Sequence, residues 1–130
     1  MQLQSFGYFG IRSSKLDDWA DYGPKFLGLE IVERTPTTLK LRMDDRRQRI
    51  LVSSTDSDVT AFGFEAADAA ALDQLAARLE AQQIPVRHVP APDAELRGVA
   101  AAIRFSDPSG NAIEAFHGPE LRPEPFKPGR

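Results

Sequence analysis

Very few side chains in this sequence could carry chemistry. Cysteine is absent and there are only two histidines, His88 and His117, in 130 residues. Thiolate catalysis, disulfides and cysteine-ligated metals are thereby excluded, and little is left for a histidine-rich metal centre. His88, between Arg87 and Val89, reads as a surface or strand-edge residue. Glu114 is the remaining candidate, a carboxylate inside Ala112-Ile113-Glu114-Ala115-Phe116-His117. Residues two apart share a strand face, so Ala112, Glu114 and Phe116 point one way and Ile113, Ala115 and His117 the other. Such a carboxylate is a metal ligand or general base in a cavity, or a solvent-facing residue, the ordinary state of an alternating antiparallel strand. Both readings stand at this point. His117 lies on the wrong face to cooperate with Glu114 directly. No phosphate-binding loop, dinucleotide glycine fingerprint or nucleophile-elbow serine is present.

The elements that must position Glu114 are legible around it. Asp107-Pro108-Ser109-Gly110 is a turn signal between a strand ending at Phe105 and the strand that carries Glu114, which together form a hairpin. Upstream, Ser5 to Ser13 reads as a buried strand whose glycines admit a close backbone or ligand. Ser14 then caps a helix with Leu16, Trp19, Tyr22 or Gly23, and Phe26 on one stripe packed against a sheet, ended or kinked by Pro24. Strands follow at Glu30 to Arg34, Thr38 to Met43 and Arg49 to Ser53. After the polar break Ser53 to Asp58 the same order returns: a strand at Thr60 to Ala66, a helix capped by Asp68 with Leu72, Leu75 and Leu79 buried, a short strand at Pro85 to Pro90, a loop through Pro92 and Asp93, and the hairpin. Phe6, Tyr8, Phe9, Phe62 and Phe64 read as core.

A shift of 53 positions maps Tyr8-Phe9-Gly10 onto Ala61-Phe62-Gly63, and Trp19, Tyr22 and Phe26 onto Leu72, Leu75 and Leu79. A match in both strand and helix implies two copies of one unit. The expected fold is α+β: two βαβββ modules, about 1–55 and 58–118, packed into an open mixed barrel. Residues 119–130 hold four of the ten prolines and read as a linker or arm.

Net charge is -3, and the single basic cluster, Arg46-Arg47-Gln48-Arg49, directly follows Asp44-Asp45. No nucleic-acid partner is expected. The N-terminus lacks a cationic and apolar leader, and no apolar run approaches about 18 residues, so neither membrane insertion nor secretion is expected and the cytoplasm is the expected location.

The doubled order, opened by Gly7-Tyr8-Phe9-Gly10-Ile11 and closed by Asp107-Pro108-Ser109-Gly110-Asn111-Ala112-Ile113-Glu114, resembles the vicinal oxygen chelate superfamily of glyoxalases, bleomycin-resistance proteins and dioxygenases. It is more closely similar to the N-terminal domain of type I extradiol ring-cleaving dioxygenases of the catechol and biphenyl-diol class. Leu27-Gly28-Leu29, Phe64-Glu65-Ala66 before Asp68, and Phe116-His117-Gly118-Pro119 followed by Glu124-Pro125-Phe126 carry the closer likeness. The resemblance implies Fe(II) held by two histidines and a glutamate in a separate C-terminal domain. Carried onto this chain, those ligand positions fall on Tyr8, Ala61 and Glu114, and alanine cannot coordinate. The expectation is a non-catalytic domain with no metal or cofactor of its own, a downstream catalytic domain in the same polypeptide as its partner, and homo-oligomeric assembly. Two other readings stand beside it. One is a standalone binder of a small aromatic ligand lined by Tyr8, Phe62 and Glu114; the other is a metal enzyme completed across a dimer by Glu114 and His117.

Overall fold

The computed structural model describes residues 3–55, 57–121 and 124–129. Asp56 of the polar break, and Arg122, Pro123 and Arg130 of the proline-rich segment, lie outside the described residues. The order is β1 (Leu3–Arg12), α1 (Leu16–Tyr22) running into a π-helical turn (Gly23–Leu27), β2 (Glu30–Arg34), β3 (Thr38–Arg42), β4 (Ile50–Ser53), a 3-10 turn (Ser57–Val59), β5 (Ala61–Ala66), α2 (Ala69–Ala81), β6 (Arg87–His88), α3 (Ala91–Arg97), β7 (Val99–Ser106) and β8 (Ala112–Pro119). This is the expected α+β class. Two compact units divide the chain: Tyr8–Thr60 with Glu120–Arg130, called the first unit here, and Met1–Gly7 with Ala61–Pro119, the second.

One plan serves both units. In the first, β4 runs parallel to β1 with Gly10 beside Leu51, and antiparallel to β3, which pairs with β2. In the second, β8 runs parallel to β5 with Gly63 beside Glu114, and antiparallel to β7, which pairs with β6. α1 and α2 begin at Leu16 and Ala69, the same 53-residue offset seen between Tyr8 and Ala61. Leu16, Leu29, Leu39, Leu41, Ile50 and Val52 form the first core, and Ala66, Leu72, Ala76, Ile103 and Ala115 the second. The Asp68 carboxylate caps α2 by accepting from the Ala71 N–H at 2.8 Å.

Four expectations need correcting. The Ala91–Arg97 stretch is a helix and not a loop: Pro92 stands in its first turn, where a missing N–H costs nothing, and Gly98 ends it with φ 71°. The α1 stripe is only half used: Gly23, buried against Leu41, continues the face of Leu16, while Tyr22 stands off it and is exposed. From Gly23 the chain closes an i→i+5 turn through the Gly28 N–H to the Gly23 carbonyl, and Phe26 within that turn is exposed. Ser14 does not cap α1; the Ser13 hydroxyl accepts from the Lys15 N–H instead. Phe6 and Phe62 are also exposed, and not core, since each takes the outward position of its strand.

The glycines of β1 admit protein. A Cβ on Gly10 would lie 1.9 Å from the Val59 carbonyl oxygen, and one on Gly7 would lie 2.1 Å from the Phe116 ring. Gly10→Ala therefore requires backbone displacement and should cost at least about 1–3 kcal/mol in urea unfolding; an unchanged midpoint would contradict it.

The hairpin turn is tied by Asp107, whose Oδ1 accepts from the Ser109 and Asn111 N–H groups at 2.9 and 2.8 Å and whose Oδ2 accepts from the Asn111 amide at 3.0 Å. The Asn111 side-chain amide, then the Asn111 backbone N–H, hold this carboxyl below the ordinary carboxylate value. A carboxyl whose folded value is depressed stabilises the fold above its unfolded value, and that contribution is lost as pH falls through the folded value. Asp107→Ala should thus lower Tm at pH 7 and flatten its fall in acid, below about pH 4. Thermal melts across that range check it, and equal acid slopes in both proteins would refute it.

Candidate functional site

Glu114 is completely buried. The pairing that places it follows from the hairpin: with Ser106 opposite Ala112, Arg104 of β7 stands directly across from Glu114, and side chains of such a pair share a face. On the other side Gly63 of β5 is its neighbour and presents no side chain. α3 delivers a second cation from its last turn. Arg97 Nε donates to Glu114 Oε1 at 2.6 Å and Nη2 to Oε2 at 2.9 Å, while Arg104 Nη1 donates to Oε2 at 2.8 Å. Arg97 also caps its own helix through Nη1 to the Asp93 carbonyl at 3.0 Å.

This corrects the solvent-facing reading of Glu114: the side chain is fully buried and both of its oxygens accept from guanidinium groups. A buried carboxylate loses several kcal/mol of hydration, which only close ion pairs and hydrogen bonds offset. The fork of Arg97 matches both oxygens at once, and Arg104 supplies a third charge-assisted bond.

Ala61 is buried in β5, and by alternation it shares the face of Gly63 and Glu114. Phe62 is aligned with Ile113 on the opposite face and is half exposed, so the structure does not bring Phe62 and Glu114 to one pocket. Tyr8 is buried in the part of β1 that belongs to the first unit. His88 is exposed on β6, and His117 lies opposite Ala101. Among the described residues no three His, Cys, Asp or Glu side chains gather where they could hold a metal ion. The donor set does not fit a divalent metal: Ala61 has no ligating atom, and a cation brought to Glu114 would meet two guanidinium charges at contact distance. A groove of about 560 Å³ runs between Gln83–Arg87 and Arg104–Pro108, and the Arg104 that borders it already donates to Glu114.

The first unit fills the equivalent place differently. Leu51, beside Gly10, stands where Glu114 stands beside Gly63, and Lys40 stands across from it. Lys40, nearly buried, reaches Glu33 Oε2 at 3.1 Å. Two residues on, Arg42 is fully buried and donates through Nη2 to Glu30 Oε1 at 3.2 Å and to the carbonyls of Glu124 and Pro125 at 2.9 and 2.7 Å. Glu30 Oε1 in turn accepts from the Lys127 N–H at 2.6 Å. The proline-rich segment is thus held along the first unit as a strap, with Glu120 fastened to Arg47 by a backbone bond of 2.8 Å and an ion pair of 3.1 Å.

Of these residues only Arg104 could have been found by counting, since the turn sets the hairpin register. Arg97 and Arg42 carry no such signal.

Comparison with known proteins gives a consistent picture. Residues 6–54 match the family described as dihydroxybiphenyl dioxygenase BphC D1, and residues 57–118 match the catechol 2,3-dioxygenase-like N-terminal domain. The chain is 37% identical to a biphenyl-2,3-diol 1,2-dioxygenase of Sphingomonas paucimobilis over 98% of its own length and 44% of that protein. It is 36% identical to an iron-dependent extradiol dioxygenase of Rhodococcus jostii, over 93% of its length and 41% of the relative. A crystal structure of a catechol 2,3-dioxygenase is similar with TM-score 0.90 and 33% identity, covering 99% of this chain and 44% of that one. The chain spans less than half the length of these relatives.

Removing either partner of the buried pair strands the other. Glu114→Gln and Arg97→Met should each lose about 3–5 kcal/mol in urea unfolding, and Glu114→Gln with Arg97→Met together should lose less than the two single changes summed. Additive losses, or a Glu114→Gln protein as stable as the parent, would show that the triad is not coupled.

Proposed function

Because the chain belongs to the extradiol dioxygenase family as an N-terminal domain, we propose that it is the non-catalytic, structural half of an iron-dependent ring-cleaving enzyme of aromatic catabolism. The observation that carries this reading is the state of Glu114. The one carboxylate at a ligand position of the family is buried between Arg97 and Arg104, and the position on β5 that would supply a histidine is Ala61. Where a catalytic module needs open donor atoms, this one has an ion triad that ties α3 to the β7–β8 hairpin.

On this reading the chemistry belongs to a downstream domain of the same polypeptide, with paired βαβββ modules of its own holding Fe(II) and taking an aromatic diol and dioxygen in the cytoplasm. The modules described here, about 1–55 and 58–118, support that domain and contribute contacts to a homo-oligomer. The strap at 119–130 joins the halves.

The 130-residue chain, given Fe(II) and 2,3-dihydroxybiphenyl in air, should produce no yellow ring-fission product. The protein expressed with its downstream reading frame should produce it under the same conditions. Turnover by the short chain would overturn the assignment, as would a stop codon directly after Arg130 in the natural gene.

A further inference from the structure

The first unit carries an apolar face that its own core does not use. Trp19, Tyr22 and Phe26 stack in a ladder with ring centroids 6.2 and 5.4 Å apart, Phe26 is 60% exposed, and Tyr22 and Leu27 are 48% exposed each. Tyr22 stands off the buried face that Leu16 and Gly23 share on α1, and Phe26 lies inside the π turn that follows. A contiguous group of exposed aromatic and aliphatic side chains marks a contact surface.

The strap says which partner covers it. Arg42, Glu30 and Arg47 hold Glu120, Glu124, Pro125 and Lys127, and beyond them the Gly129 N–H donates to the Gly28 carbonyl at 3.2 Å. Gly129 is so close to the π turn that a Cβ there would lie 2.5 Å from Pro24 and from the Leu29 carbonyl. The strap therefore runs to the turn that bears Phe26 and Leu27, and a polypeptide continuing from it would start at the edge of the ladder.

We propose that the Tyr22, Phe26 and Leu27 face is the docking surface for the downstream domain of the same polypeptide, which presents an apolar patch with a basic rim. The proposal rests on the reading of this chain as an N-terminal domain. A basic rim follows from the acids beside the ladder: Asp18 is exposed, and Asp21 is only loosely paired with Lys25 at 3.7 Å. Three side chains fall short of the roughly 800 Å² per partner that holds free proteins together. A tether fixed at the rim of the patch raises the effective concentration into the millimolar range, where a small interface suffices.

The test uses the protein with its downstream reading frame, as wild type and as Tyr22→Ser/Phe26→Asp. Both substitutions fall on exposed side chains, so the fold should survive. Hydrogen exchange at amides 19–28 should be at least tenfold faster in the variant, with amides of β7 and β8 unchanged and the wild-type protection independent of protein concentration. Equal exchange at 19–28 in the two proteins would overturn the docking assignment while leaving the N-terminal-domain reading intact. Protection that grows with concentration would assign the face to a second copy of the chain and overturn it equally. A reading frame that stops at Arg130 would remove the premise, a separate outcome from either.

Discussion

A carboxylate cannot stay ionised away from water unless cations take the place of its hydration, and Glu114 meets that requirement with two arginines. Much of the second unit is arranged to bring them. The Asp107 turn sets the register that puts Arg104 across from Glu114, Gly63 leaves room beside it, and α3 is placed so that its last residue reaches the same two oxygens. The arrangement uses the position for cohesion: the one carboxylate that could draw a metal is paired with two guanidinium groups.

The first unit shows the same plan solved with different residues. Leu51 stands in the place of Glu114, so no carboxylate needs neutralising there. The buried cation appears instead at Arg42, and its acceptors include backbone carbonyls of the strap. A segment dense in proline has few N–H donors of its own but keeps all its carbonyls, which makes it a suitable partner for a buried guanidinium. The strap is ordered by that chemistry, where its composition alone suggests an extended linker.

Both modules were legible in outline because their signals are local. Period-two and period-3.6 patterns, the Asp68 cap and the Asp107-Pro108-Ser109-Gly110 turn act over a few residues, and the observed strands and α2 follow them closely. α3 does carry a local helix signature, a proline in its first turn with Gly98 after its last, which a loop through Pro92 and Asp93 leaves unread. Tyr22 is exposed because two successive steps of three drift off a face with 3.6 residues per turn, and a π turn breaks the spacing to Phe26.

The residues alone established the duplicated α+β plan, the absence of thiols, and the isolation of Glu114 among apolar neighbours, since each of these is a matter of type and spacing. What Glu114 does was decided only by tertiary structure. Its partner Arg97 is 17 residues away on another element, and the backbone acceptors of Arg42 are 82 and 83 residues distant. Electrostatic pairing depends on separation in space, and no periodicity along the chain encodes that separation.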